Sequence, residues 1–404
     1  MAQHVDFNGG PTGPLSGVRI VDFTAVYSGP LAAAILGDQG ADVIKVEPHA
    51  GDLMRRALPK QGGMASSYFT LNRNKRAICL DLQTADGLKI VRELIETADV
   101  VLENFRPEVM ERLGLGYEQL KKRQPKLVYA SINGVGPVGP YSKRRVYDAV
   151  IQAISGFASL KPDGDPELVN CLVCDKITSL TAAEAVVAAL FRAERSGRGQ
   201  KVEVSMLDAN LFFLWSDVMS NFTYLEEETE TMPYGDMSVF IRKTRDGHIA
   251  AMPVQQAEVE GALRALELED LIDDERFEDF ESRARNRQLM KKITDSKYEQ
   301  FTTSEIAKRL EENDVPWSLV NSRHEVVDDP QVKAMDAIWY FEHPQIGSVR
   351  QPRPAAQFSS TPANFHQPTA YLGQHNEEVL KELGYDDQQI EHFSDAGILH
   401  AERR

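Results

Sequence analysis

Short apolar runs alternate with helix-like segments through the first two hundred residues of the chain. One helical segment has Leu88, Val91, Leu94 and Ala98 at helical spacing, and another begins at Gly29 and Pro30. Six runs are typical of strands: 18–23, 42–47, 77–82, 100–105, 127–132 and 202–207. Strands that alternate with helices of about ten to twenty residues form βαβ units. We therefore predict an α/β fold, with a mostly parallel sheet covered by helices on both faces.

The pattern changes beyond residue 220. A like-charge run followed by turn residues, EEETETMPYGD, predicts a linker at 221–236. Alternating charge with helical periodicity then predicts a smaller, mostly helical domain at 237–325. Scattered prolines with little periodicity predict a second linker at 326–368. The N-terminal part of a large α/β domain is thus expected at 1–220, and a C-terminal segment with a helix near 375–384 at 369–404.

The overall charge narrows the possible partners. The chain has 404 residues and a formal net charge of −16, which disfavours binding to nucleic acid or to an anionic membrane. No apolar run approaches the roughly 18 residues of a membrane span, and the start, MAQHVDFNGG, does not resemble a signal peptide. Three cysteines are too few for a disulfide framework. We expect a cytoplasmic protein.

The segment GVGPVGP at 134–140 follows a predicted strand and matches the pattern G-x-G-x-x-G. A dinucleotide site needs a helix to begin there, so that its N-terminus faces the pyrophosphate. Pro137 and Pro140 interrupt such a helix, and a polar loop follows. We interpret the segment as a wide turn and not as a nicotinamide site.

Metal binding and imidazole chemistry find little support in the first domain. Cys171 and Cys174 form a C-x-x-C pair, but Cys79 is the only other cysteine, whereas a structural zinc site needs four ligands. We predict no metal and interpret the pair as semi-buried thiols. No histidine lies between His49 and His248, so a Ser–His or Cys–His nucleophile pair would need an imidazole from elsewhere in the fold.

Asp175 is the carboxylate with the most informative position. It lies directly before a long Ala-rich helix, where Asp is a favoured N-cap and where the positive end of the helix keeps it ionised. A structural cap is the simpler interpretation. Nucleophilic catalysis is the alternative, because a carboxylate with a pKa of about 3.9 needs no general base at neutral pH.

Basic residues stand in three clusters against the acidic background of the first domain. Each adjoins the end of a predicted strand, where α/β sheets place their ligands, and arginine binds phosphate through two donors. Solvated surface charge is the alternative for any one cluster. Together they favour a small ligand that carries phosphate; the clusters are NRNKR with Arg73, Lys75 and Arg76, ENFRPEVMER with Arg106 and Arg112, and YSKRR with Lys143, Arg144 and Arg145.

Over nearly its whole length, from about Gly13 to about Gly384, the chain resembles the family III CoA-transferases, the CaiB–BaiF family. The resemblance is carried by several motifs that are specific only in combination: PLSGVRIVDFTAVYSGPLAAAILGDQGADVIKVEP, YFTLNRNKRAICLDL, ADVVLENFRP, LVYASINGVGPVGPYSKRRVYD, LVCDKITSLTAAEAVVAALF and YLGQHNEEVLKELGY. It implies a Rossmann-like large domain that the C-terminal segment rejoins, a small domain between, and a homodimer of two interlocked rings.

The resemblance also implies site residues. Asp175 corresponds to the catalytic aspartate of the family, and the arginines of the matching positions would meet the phosphates of CoA. Gln83 replaces a basic residue that is usual on the adenine side, which leaves that contact in doubt. The positions that match the CoA-binding residues are Tyr27, Leu80, Asp81, Leu82, Gln83, Asn104, Phe105, Arg106, Arg112, Arg145, Tyr147 and Asp148.

The implied activity is transfer of CoA from an acyl-CoA to a free carboxylic acid, through an anhydride and a thioester on Asp175. Coenzyme A and its thioesters are substrates, and no other cofactor is implied. The family also contains α-methylacyl-CoA racemases, which have His before Asp148. Here the residue is Tyr147, whose phenol has a pKa near 10 and is a poor base. A silent CoA-binding protein is the third possibility.

One departure from the family concerns the small domain. Some transferases of this family carry a run of glycines there as a flexible flap. The comparable stretch of this chain, HIAAMPVQQAEVEGALRAL, contains no such run. Oxalate-type specificity is therefore not expected, and the donor and acceptor stay open, with succinate as the suggested donor acid.

Overall fold

The computed structural model describes residues 5, 7, 10–160, 164–226 and 237–402. The chain divides into two compact units. The larger unit comprises 1–158, 168–214 and 336–404, and the smaller unit comprises 159–167 and 215–335. Most of the charged part of the predicted linker, 227–236, lies outside the described residues.

The described residues form the following strands and helices. The strands are Arg19–Asp22 (β1), Asp42–Glu47 (β2), Lys60–Gln61 (β3), Met64–Ala65 (β4), Lys75–Cys79 (β5), Val100–Glu103 (β6), Val128–Asn133 (β7), Lys201–Ser205 (β8), Ile241–Lys243 (β9), His248–Ala251 (β10), Trp317–Leu319 (β11), Ile338–His343 (β12) and Gly347–Pro352 (β13). The helices are Ser28–Asp38 (α1), Ser66–Leu71 (α2), Ala85–Glu96 (α3), Val109–Arg112 (α4), Tyr117–Leu120 (α5), Asp148–Ser155 (α6), Val173–Ser196 (α7), Met206–Trp215 (α8), Gln256–Ala265 (α9), Phe280–Arg285 (α10), Arg287–Tyr298 (α11), Thr303–Glu312 (α12), Pro330–Ala334 (α13), Asn376–Glu382 (α14) and Asp387–Asp395 (α15).

A six-stranded sheet is the centre of the larger unit. Its order is β5-β2-β1-β6-β7-β8, and every neighbouring pair is parallel. This confirms the predicted parallel α/β fold. The chain runs outward from β1 in one direction through β2 and β5 and in the other through β6, β7 and β8. A topological switch point therefore lies between β1 and β6, and ligands of open α/β sheets bind at such a point, beyond the carboxyl ends of the strands.

Both faces of this sheet are covered, as continuous apolar strands require. On one face α1 and α7 pack through small side chains such as Ala33, Ala182 and Val186. On the other face α3 packs together with the two C-terminal helices, which contribute Leu380 and Phe393. The long Ala-rich stretch of α7 lets that helix approach α1 and the sheet closely.

The C-terminal part of the chain holds more regular structure than its sequence predicts. The helix expected near 375–384 is present as α14, and a second helix, α15, follows it. The second predicted linker contains the antiparallel hairpin β12–β13, in which Phe341 pairs with Val349. Phe341 and Ile346 are buried with Phe69 and Phe365 in an apolar cluster of the larger unit. Pro344 lies in the turn of this hairpin and Pro352 is the last residue of β13, so these prolines do not interrupt either strand.

The smaller unit has its own core. Its antiparallel sheet has the order β11-β10-β9, and the helices α9 to α13 belong to the same unit. Ile249, Ile306 and Leu310 are fully buried there. Among the described residues, no helix is both long and apolar enough to cross a lipid bilayer.

Candidate active site

The turn that follows β1 is held in a strained conformation at the switch point. Val26 has a φ of 73°, which a β-branched residue rarely adopts, and its backbone N–H donates to Oδ1 of Asp52 at 3.2 Å. Asn104, directly after β6, clamps Ala25: its Oδ1 accepts from the Ala25 N–H at 2.9 Å, and its Nδ2 donates to the Ala25 carbonyl at 2.8 Å. The turn is thereby tied to both sides of the switch point.

Two buried ion pairs lie next to this turn. Lys75 and Asp22 form an ion pair with a 2.9 Å separation, and Lys45 and Asp52 form another at 3.0 Å. All four side chains are at most 2% exposed. Burial lowers the pKa of Lys75 to about 8. Burial alone would raise the pKa of Asp22, but Lys75 and Lys45 outweigh it and lower that pKa, so Asp22 is ionised at neutral pH.

A close approach next to Ser28 explains the glycine at the start of α1. A Cβ atom on Gly29 would lie 2.4 Å from the side chain of Thr24, which is itself buried. Any larger residue would push α1 away from the turn. Gly29 therefore lets Ser28 lie directly beside the turn.

Asp175 faces this Ser28. The prediction that Asp175 caps α7 is wrong in detail: the helix begins at Val173 after Leu172, so Asp175 is its third residue. The hydroxyl and the backbone N–H of Ser28 act on the Asp175 carboxylate as donors, and both lower its pKa. The Asp175 N–H donates to Oδ2 of Asp148 at 2.9 Å, so another carboxylate caps this helix.

The surroundings of Asp175 raise its pKa to about 6. Burial is the largest cause and the negative charge of Asp148 the second, while the hydrogen bonds from Ser28 act in the opposite direction. Burial, Asp175 and other nearby groups also raise the pKa of Tyr27, which stays a neutral phenol. The carboxylate of Asp175 is thus more basic than usual but still mostly ionised at pH 7.

The positions expected to bind CoA lie at the carboxyl ends of four strands. Tyr27 follows β1, and the residues from Leu80 to Gln83 follow β5. The residues from Asn104 to Arg106 follow β6. Tyr147 ends the loop after β7, and Asp148 begins α6. Several have exposed side chains that are available to a ligand: Gln83, Phe105, Arg106, Arg112, Arg145 and Tyr147. Within the described part of the chain, the three arginines of this set form no ion pair.

Other positions of the set are buried or hydrogen-bonded within the protein. Leu80 is buried, and Asp81 accepts from the Gln83 N–H at 2.9 Å. The side chain of Asn104 accepts a hydrogen bond from Ala25 in the turn after β1. The side chain of Asp148 accepts one from the Asp175 N–H in the first turn of α7. These residues shape the edge of the sheet on which a ligand would lie.

Comparison with known proteins decides the family. The sequence model of CoA-transferase family III matches residues 15–376. The chain belongs to this family. The chain is 34% identical over 394 residues to the succinyl-CoA:glutarate CoA-transferase of Homo sapiens, covering 96% of this chain and 90% of the relative. It is 34% identical over 385 residues to the succinate–glutarate CoA-transferase of Agrobacterium fabrum, covering 92% and 96%.

A solved structure agrees with this assignment. A CaiB/BaiF family protein from Brucella suis is similar with a TM-score of 0.78 and 28% identity, covering 92% of this chain and 100% of the other. The resemblance to the CaiB–BaiF family is confirmed, and the chain is a family III CoA-transferase.

One basic cluster is wrongly predicted as a ligand site of this CoA-transferase. Arg73, Lys75 and Arg76 lie at the amino end of β5, away from the edge where Asp175 lies. Each is saturated by carboxylates, since Arg73 pairs with Asp38 at 2.6 Å and Arg76 pairs with Asp42, Glu378 and Glu382. The NRNKR segment therefore stabilises the fold of the transferase and has no cation left for phosphate.

The structure also bears on two further predictions, for the GVGPVGP segment and for the C-x-x-C pair. No helix begins in the GVGPVGP segment before Asp148, so the dinucleotide pattern is correctly rejected. The two thiols of the C-x-x-C pair are not semi-buried: Cys171 is exposed and Cys174 is buried.

Ser28 is the site residue that the sequence did not reveal. It follows Tyr27 at the start of α1, and a serine at a helix start is common enough to be passed over. Its role depends on Asp175, which lies far along the chain, and only the packing of α1 against α7 brings the two together. The Ser179 hydroxyl marks the same contact, since it lies 2.8 Å from the Ser28 carbonyl and 2.7 Å from the Asp175 carbonyl.

Proposed function

We propose that this CoA-transferase moves CoA from an acyl-CoA donor to a free carboxylic acid through covalent intermediates on Asp175. The observation that carries the proposal is the half-buried carboxylate of Asp175 at the start of α7. Its pKa is raised to about 6 by burial and by Asp148, while the Ser28 hydroxyl and backbone N–H act on it as donors that lower the pKa. A carboxylate in this setting is ionised, oriented and more basic than a free one, which are the properties of a covalent nucleophile.

The proposed reaction consists of four acyl exchanges. The Asp175 carboxylate attacks the thioester carbon, the C–S bond breaks, and a mixed anhydride forms as the CoA thiolate leaves. The thiolate attacks the Asp175 carbonyl carbon, which releases the donor acid and leaves an aspartyl-CoA thioester. The acceptor carboxylate attacks that thioester to form a second anhydride and thiolate. The thiolate then takes the acceptor acyl group, which releases the new acyl-CoA and restores the free Asp175 carboxylate.

Donors beside Asp175 suit this chemistry. The two donors of Ser28 hold the carboxylate in one orientation, which removes the entropic cost of aligning it for attack. The same donors stabilise negative charge that develops on the Asp175 oxygens when the thiolate or acceptor attacks its carbonyl carbon. Tyr27, at the same turn, borders the acyl group on its other side in this proposal.

Exposed basic residues on the same edge suit the phosphates of CoA. Arg106, Arg112 and Arg145 are exposed on loops or a short helix beyond β6 and β7. Guanidinium groups that no carboxylate of the described residues occupies can bind phosphate oxygens with two parallel hydrogen bonds. We assign the pyrophosphate and the ribose phosphate to these three residues.

We further propose succinyl-CoA as the donor, with a short dicarboxylic acid as the acceptor. The two relatives named above are a succinyl-CoA:glutarate and a succinate–glutarate CoA-transferase.

We also propose a homodimer of interlocked rings, as the family resemblance implies. Large apolar side chains exposed near the end of α8 support an association, notably Phe212 and Phe213.

Trapping of the covalent intermediate tests the proposal. The protein is incubated with succinyl-CoA, quenched with hydroxylamine or borohydride, and digested for mass spectrometry. We expect modification of the peptide that contains Asp175, dependent on succinyl-CoA. Transfer without any modification of Asp175 would contradict the proposal. Exchange of the α-proton in D₂O without an acceptor acid would point instead to a racemase.

The pH dependence of acylation follows from the raised pKa of Asp175. Only the ionised carboxylate attacks the thioester, so the rate is expected to be constant above pH 7 and to fall about tenfold per pH unit well below pH 6. Single-turnover acylation by succinyl-CoA, followed from pH 4.5 to 8, measures this fall in rate at low pH, which is the acid limb of the profile. A midpoint near pH 4, the ordinary value for Asp, would show that the surroundings of Asp175 do not act as described.

A further inference from the structure

Asp148 is a buried carboxylate whose two oxygens both accept hydrogen bonds from the protein. It is the first residue of α6 and is 2% exposed. Its Oδ1 accepts from Nε2 of Gln152 at 2.6 Å, and its Oδ2 accepts from the backbone N–H of Asp175 at 2.9 Å. Family resemblance places this position among the CoA contacts, yet the side chain has little surface to offer a ligand.

Gln152 extends this arrangement to the segment that enters α7. It is 2% exposed, and its Oε1 accepts from the Val169 N–H at 2.8 Å. Its Nε2 also approaches the carbonyl oxygens of Val169 and Cys171 at 3.2 and 3.1 Å. The pair Asp148–Gln152 therefore fastens both the segment before α7 and the first turn of α7 to α6.

We propose that Asp148 is a positioning residue for Asp175 and not a contact of CoA. Its carboxylate caps the first turn of α7, which fixes the backbone that carries the nucleophile, and it holds a negative charge beside that nucleophile. The inference rests on the proposed function of Asp175 as the nucleophile.

The charge of Asp148 has a consequence for reactivity. Within the described residues Asp148 forms no ion pair with a cation, and its charge acts on Asp175. Burial and then Asp148 raise the pKa of Asp175, whereas the adjacent Lys176 lowers it. Tyr27 and Cys174 also face this carboxylate, and both have raised pKa values, so they stay neutral. A more basic carboxylate is a better nucleophile as long as it is ionised.

The test replaces Asp148 by Asn, which keeps the shape. An amide offers one oxygen to two donors, so either Gln152 or the Asp175 N–H meets a donor instead of an acceptor. We expect the single-turnover acylation of Asp175 by succinyl-CoA to slow about tenfold or more at pH 7. The half-saturating concentration of succinyl-CoA should stay within about twofold. The acid limb should move to lower pH, because the neighbouring negative charge is gone.

A double variant, Asp148→Asn with Gln152→Glu, exchanges the donor and the acceptor of the pair. The amide at position 148 then accepts from the Asp175 N–H and donates to the new carboxylate at position 152, which still accepts from the Val169 N–H. The carbonyls of Val169 and Cys171 lose the Nε2 donor in this variant, so we expect only part of the acylation rate to return. The acid limb should move back toward pH 6, because a negative charge again lies near Asp175. This variant keeps a carboxylate in the pair, so it tests the same point with the same readouts if Asp148→Asn does not fold.

Asp208→Asn is the matched control, because Asp208 is an exposed carboxylate in the first turn of α8. It should change neither the rate nor the pH limb. A weaker half-saturation by succinyl-CoA in either Asp148 variant, with an unchanged rate at saturation and an unchanged limb, would make Asp148 a CoA contact and overturn the inference. Failure to modify Asp175 in the parent protein would instead overturn the proposed function.

Discussion

Replacement of Asp175 by Asn is expected to reduce CoA transfer by at least about 10³-fold, while CoA still binds. The amide has the shape of the carboxylate and an oxygen for the donors of Ser28, but it cannot form the anhydride or the thioester. Steady-state transfer from succinyl-CoA measures the loss, and calorimetry with free CoA measures the binding. Asp175→Ala excludes slow deamidation of Asn as a source of residual activity.

The same substitution is expected to stabilise the fold at neutral pH. The pKa of Asp175 is raised from 3.8 to about 6 on folding, first by burial and then by Asp148, so the folded state binds its proton more tightly than the unfolded state. The contribution of this group to stability therefore falls as the pH rises from about 4 to about 6, and it stays low above that range. An Asn does not titrate and avoids this cost.

Thermal unfolding of both proteins between pH 4 and pH 7.5 checks this expectation. The midpoint temperature of the Asn variant should rise relative to that of the parent as the pH is raised, with little further change above pH 7. An Asn variant that is less stable than the parent at pH 7.5 would mean that Asp175 serves the fold. Transfer at the parental rate in Asp175→Ala would remove Asp175 from the mechanism.

Replacement of Lys75 by Met is expected to lower the free energy of unfolding by about 3–5 kcal/mol, as when one partner of a buried ion pair is removed. The Lys75 ammonium lies 2.9 Å from Oδ2 of Asp22 and also donates to the Pro30 carbonyl and to Oδ1 of Asn72, at 2.8 and 3.0 Å. Met fills the space of the aliphatic chain but leaves the Asp22 charge in the core without its nearest cation.

Urea denaturation followed by circular dichroism measures this effect. Lys126→Met is the matched control, because Lys126 is exposed, and it should change stability by less than about 0.5 kcal/mol. The double variant with Asp22→Asn should lose less than the sum of the two single variants, since the stranded charge is gone. A loss below about 1 kcal/mol in Lys75→Met would show that the pair does not organise the core beneath the turn.

The local pattern of apolar residues was sufficient to predict the parallel α/β architecture of the larger unit. The run 42–47 coincides with β2, because an interior strand of a parallel sheet is apolar on both faces and stands out without its neighbours. The helix predicted near 375–384 is also present, as α14. The hairpin β12–β13 and the helix α15 were not predicted, since their apolar residues are buried by contacts with distant parts of the same unit.

The candidate site divides in the same way. By itself, the sequence nominated Asp175, from a carboxylate at the start of a long helix and from the family resemblance. It also placed the positions expected to bind CoA after predicted strands. Tertiary structure alone decided which charged groups are free. Arg73 is neutralised by Asp38 and Arg76 by Glu382, which lies 306 residues further along the chain. The same reason applies to the contact between Asp148 and Asp175. The sequence gives the charge of each side chain, but the packing of segments that are separate in the sequence determines which group it contacts.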